Sequence, residues 1–119
     1  MEGTENSEIR NIRAGDWYWI NKAVLYLYGH PLKVSGIAVY NALASFANSK
    51  TQRCYPSQDT IARLIGLSKR TVMRKLKLLE SLGLIKIERK GINCGYYLLK
   101  VRPEVTKETK LSDKGIPLM

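Results

Sequence analysis

Histidine, cysteine and acid are the scarce residues of this 119-residue chain. It has one histidine, His30, two cysteines, Cys54 and Cys94, and ten Asp or Glu against twenty Lys or Arg. A zinc site needs about four clustered ligands. The two cysteines are far apart in the chain with no Cys-x-x-Cys, so no metal is expected and the thiols should stay free in a reducing cytoplasm. Catalysis needs a nucleophile–base pair or a carboxylate pair in a cleft. His30 beside Pro31, read as a loop residue, and the few acids near the basic region supply neither. No apolar run approaches the ~20 residues that span a bilayer, and the polar, acidic start is no secretory signal. Neither a cofactor, a small-molecule effector nor a membrane partner is indicated.

What the chain has is positive charge, and the charge is localised. The net charge is +10, which implies an acidic partner, nucleic acid before an anionic membrane. Residues 50–90 carry eleven Lys or Arg against Asp59, Glu80 and Glu88, whereas residues 1–20 carry four acids against Arg10 and Arg13. A solubility device would be spread evenly. At this length a single core, hence one domain, is expected.

The basic stretch has a pattern. Pro56 to Leu67 reads as a short helix started by Ser57 and ended at Gly66, where glycine tolerates a left-handed turn. Ala62, small, permits a close crossing by the next helix. Ser68 caps that second helix. At about 100° per residue, Val72, Leu76, Leu79 and Leu82 share its inner face, and Arg70, Arg74, Lys77 and Ser81 the outer one. Lys69 and Arg70 occupy its first turn, with no acid there to pair with them. Gly83 stops it. Leu84 to Glu88 alternates as a strand with one wet face, Arg89 to Gly95 reads as a turn, and Tyr96 to Val101 as the return strand. Two helices, a turn and a hairpin make a helix-turn-helix with a wing. The fold class expected is mainly α with a small β-hairpin wing (α+β), a winged helix-turn-helix. A basic helix face is otherwise most often just solvated; the turn chemistry ahead of this one favours DNA contact.

The rest of the chain is organised around that unit. Residues 1–15 are expected to be a flexible arm and 103–119 a flexible tail, with the domain between, at 16–102. Trp17-Tyr18-Trp19-Ile20 reads as a short extended segment covering one edge of the core; a base-stacking platform is the alternative. Asn21 to Tyr28 reads as a helix closed by Gly29, with Val24, Leu25 and Tyr28 inward. His30-Pro31 marks a break. A second helix then runs from about Leu32 to Asn48, with Val39, Leu43 and Phe46 facing the core. Cys54-Tyr55 is expected to bridge to the wing.

From about Trp19 to Leu99 the chain resembles the winged helix-turn-helix domains of bacteriophage and plasmid replication proteins and of related small prokaryotic regulators. The resemblance rests on Val39-Tyr40, Ala47-Asn48, Cys54-Tyr55-Pro56-Ser57-Gln58, Ile61-Ala62, Gly66-Leu67-Ser68, Arg70-Thr71-Val72, Leu79-Glu80 and Gly83-Leu84-Ile85. It implies that the helix holding Arg70 and Arg74 is the recognition helix and the hairpin the wing. Initiators of this kind usually carry a further domain, so the short stretch after the wing points to a transcriptional regulator, with the initiator's DNA-binding domain as the alternative.

The expected partner is double-stranded DNA. Arg70 and Arg74 would meet base edges. Lys69, Lys77, the Thr71 hydroxyl and the amides at the Ser57 and Ser68 helix starts would hold phosphates. Arg89 and Lys90 would grip the flanking backbone from the hairpin tip. A homodimer is left open, with Trp17–Tyr28 and Leu78 as candidate contacts.

Overall fold

The structure, a computed structural model, describes residues 8–11, 15–90 and 93–101. Most of the arm expected at 1–15, and all of the tail expected at 103–119, lie outside these residues. In chain order the elements are α1 (Lys22–Phe46), β1 (Arg53–Cys54), α2 (Gln58–Ile65), α3 (Lys69–Ser81), β2 (Ile85–Lys90) and β3 (Asn93–Leu98). The three strands form one antiparallel sheet in the order β1-β3-β2. This is the α+β, winged helix-turn-helix architecture expected.

The first helix differs from expectation. Asn21 caps it, its side-chain oxygen accepting from the Ala23 amide at 2.8 Å. The helix does not close at Gly29, however, nor break at His30-Pro31. The two helices expected are both present, but the first runs on through Gly29 and Pro31 and the break between them falls at Lys33, where φ is 62° and ψ 178°. Proline's fixed φ is itself helical, so Pro31 forfeits one ladder bond without ending the turn. The break falls instead on a backbone conformation that costs a non-glycine residue about 1–3 kcal/mol. Burial on both sides holds it there: Leu32 before the kink and Val39 and Leu43 after it are fully buried. His30 is therefore an exposed helical residue rather than a loop residue.

Two core assignments also shift. Leu25 and Phe46, expected inward, are exposed; Val24 is buried as expected, and Ala23 joins it on the inner face at the helix start. The Trp17–Ile20 segment forms no strand; Ile20 is half-buried against the core and the three aromatics are exposed. Trp19 is 77% exposed. Tyr18 donates its hydroxyl hydrogen to Asn41 Oδ1 at 3.0 Å, and the Arg10 guanidinium lies 5.4 Å from the centre of the Trp17 ring.

The core itself is where the spacing put it. Val72, Leu76 and Leu79 from α3 meet Ile61 and Ala62 from α2, Val39, Tyr40 and Leu43 from α1, and Leu84, Ile85 and Tyr96 from the wing. Burying a side chain of this size stabilises by about 1.5–3 kcal/mol relative to exposure, so three such residues bind α3 firmly by its inner face.

Candidate nucleic-acid interface

Two capped helix starts set the geometry. Ser57 Oγ accepts from the Thr60 amide at 3.0 Å, and Ser68 Oγ from the Thr71 amide at 3.1 Å. Each cap serves the third amide of its helix and leaves the first two without an intrahelical partner. Between the helices, Gly66 adopts φ 72° and its amide bonds to the Ala62 carbonyl at 2.9 Å. The Leu67 amide bonds to the same carbonyl at 3.0 Å. Ala62 thus accepts both bonds that end α2 while its small side chain lies buried in the core.

With the inner face of α3 buried, its outer face is turned to solvent. Arg70, Arg74 and Lys77 are all exposed there, and among the described residues no acid partners them. Thr71 is half-buried, and its hydroxyl accepts from Ser68 Oγ at 2.9 Å, which leaves its own hydrogen to donate. Lys69 departs from expectation. An acid does reach the first turn, but from the neighbouring helix: Asp59 Oδ2 lies 3.6 Å from Lys69 Nζ. Both side chains are more than half exposed, where such a pair is worth little and yields to a stronger anion. Asp59 also stands in the first turn of α2, so the amides beyond Ser57 face a resident negative charge that those beyond Ser68 do not.

The wing is fixed to α3 by its first residues. Gly83 turns the chain, and Glu80 Oε2 accepts from the Ile87 amide at 3.1 Å. Thus a side chain near the end of α3 orients β2. The hairpin is tighter than expected. Its strands pair as far as Lys90 opposite Asn93, so Arg89 and Lys90 end a strand rather than sit in a turn. Arg89 is exposed opposite Cys94. Of the turn expected over Arg89 to Gly95, residues 91–92 lie outside the described residues.

Sequence reasoning passed over two residues near this surface. Arg53 of β1 forms an ion pair with Glu88 of β2, its guanidinium 5.3 Å from the Tyr55 ring centre and 4.7 Å from that of Tyr97. Its charge is matched by Glu88 across the sheet, so it adds little to the basic surplus of residues 50–90. Alternation in β2 marks Glu88 as a wet-face residue, but no local pattern predicts a partner from a two-residue strand. Met73 is the second: it is exposed on the outer side of α3 among the bases. Beside the wing a cleft of about 800 Å³ lies between Ser57, Lys69, Glu88 and Gly95. Among the described residues there is no cluster of metal ligands, and no helix is long and apolar enough to cross a membrane. Cys54 is buried and Cys94 half-buried, both as free thiols.

Residues 30–85 match a family model described as a helix-turn-helix domain, which spans the second part of α1, both helices of the motif and the entry to the wing. Among solved structures the chain is similar to TubR bound to 24 bp of tubC, from Bacillus thuringiensis serovar israelensis pBtoxis. The two share 24% identity over 70% of this chain and 85% of that one, with a TM-score of 0.44. No curated protein shows significant sequence similarity to the chain.

Proposed function

We propose that this helix-turn-helix protein is a non-enzymatic, sequence-selective binder of double-stranded DNA, acting in the cytoplasm as a transcriptional regulator. The observation that carries the reading is the outer face of α3. Arg70, Arg74 and Lys77 are exposed, without acid partners among the described residues, on a helix whose other face is buried. A helix held in this way enters the major groove with its N-terminal half nearest the bases. Arg70 and Arg74 then offer guanidinium forks to base edges, guanine being the usual partner. Lys77, the Thr71 hydroxyl and the amides after Ser68 take phosphates. Lys69 joins them by exchanging Asp59 for phosphate, and Ser57 contributes more weakly because of the same acid. Arg89 and Lys90 take the flanking backbone. A second copy of the chain would match the two half-sites of an operator.

In vitro selection of bound duplexes tests this. A single recovered consensus, palindromic for a paired regulator, is the expected result. Tandem direct repeats would favour an origin-binding initiator instead. Arg74→Ala should cost about 1–3 kcal/mol and relax preference at one base position, whereas Arg89→Ala should weaken all duplexes alike. Recovery of no consensus, or equal losses on every sequence for both variants, would remove the assignment of base reading to α3.

A further inference from the structure

One apolar side chain stands among the bases of α3. Met73 is 40% exposed, one turn beyond Lys69 and one turn before Lys77. It is not part of the core. Val72, Leu76 and Leu79 are the buried residues of the helix and Leu78 and Leu82 are half-buried against them, whereas Met73 is exposed. Its position is in the half of the helix that approaches base edges most closely when such a helix lies in the major groove.

The groove offers such a side chain one apolar group on the ordinary bases, the 5-methyl of thymine; the other functions on the base edges are hydrogen-bond donors or acceptors. Arginine forks cannot use that methyl. A thioether can, because it is flexible and polarizable and loses no hydrogen bond on leaving water. We propose that Met73 is a specificity-determining residue that packs against a thymine methyl next to a base pair read by Arg70 or Arg74. This rests on the duplex-binding reading above and adds the base type at one position of its target.

Replacing thymine by deoxyuridine removes the methyl and keeps every hydrogen-bonding group. The test uses the full chain and a duplex recovered by in vitro selection, with each thymine replaced in turn and Kd read by fluorescence anisotropy. At one position the wild type should lose about three- to fivefold, the factor expected for one buried methyl group. Met73→Ala should bind the thymine and uridine duplexes equally, and Met73→Leu, still apolar, should keep most of the difference. Because Met73 lies outside the core, the melting temperature of either variant should stay near that of the wild type. The inference is overturned if the consensus has no thymine, if no uridine replacement weakens wild-type binding, or if Met73→Ala still shows the wild-type loss. In each of those cases sequence-selective binding itself stands. Failure to recover any preferred duplex overturns both.

Discussion

At the scale of single residues, burial sets the chemistry. Cys54 is 3% exposed, and desolvation of its thiolate pushes the thiol from 9.0 up to about 11. The raised value means that the folded state holds the proton after the unfolded chain has lost it. Stability is therefore unaffected below about pH 9 and falls as pH rises from 9 towards 11. Chemical denaturation across that range should show the decline, and Cys54→Ala, although less stable overall, should show less of it. Gly36 makes a second case. A Cβ there would come within 2.9 Å of the Leu32 Cβ, and Leu32 is fully buried and cannot withdraw. Helix propensity alone favours alanine by about 1 kcal/mol, but overpacking costs about 1–3 kcal/mol. Gly36→Ala should therefore lower stability in a urea titration, and a gain would show that the kinked helix can relax around the methyl.

At the scale of elements, the outer strands of the sheet are joined across β3 by Arg53 and Glu88. The guanidinium is held between the rings of Tyr55 and Tyr97, and its hydrogen bond to Glu88 keeps it protonated above its ordinary range. Removing the counter-charge while keeping the shape, as in Glu88→Gln, should speed amide exchange in β3 and leave α3 unchanged. Equal exchange in both proteins would mean that the rings and the backbone ladder hold the sheet without the pair. This cross-sheet link also shows where local reading stops. The caps at Ser57 and Ser68, the turn at Gly66 and the α3 stripe are contacts among near neighbours in sequence, and periodicity and turn chemistry anticipate them well. Arg53 to Glu88 and Asp59 to Lys69 join different elements, and no local rule predicts them. The break between the first two helices was anticipated but displaced for a related reason: Pro31 advertises it, and packing of Leu32 carries it on to Lys33. Likewise Trp17 and Trp19 read as core by composition, yet they lie outside because the sheet and helices close without them.

At the scale of the whole molecule, net charge and binding charge are different quantities. Residues 50–90 hold eleven basic side chains, and if each released one counterion from a duplex the log–log slope of affinity against salt would be about −10. The fold does not present them together. Arg53 is matched within the sheet and Lys69 shares its charge with Asp59. The remainder lie on α3, the wing, α2 and, for Lys50, the loop before β1, of which one duplex can touch only the helix face and the hairpin. About six phosphate contacts fit that geometry, which gives a slope of about −5. Anisotropy titrations between about 50 and 200 mM KCl should return that value, flattening by about one unit in Lys77→Ala. A slope near −10 would mean that the chain binds as a diffuse polycation, with the helix face playing no special part. A slope near zero would separate binding from charge altogether. Only the intermediate value agrees with a duplex seated against a rigid helix and its wing.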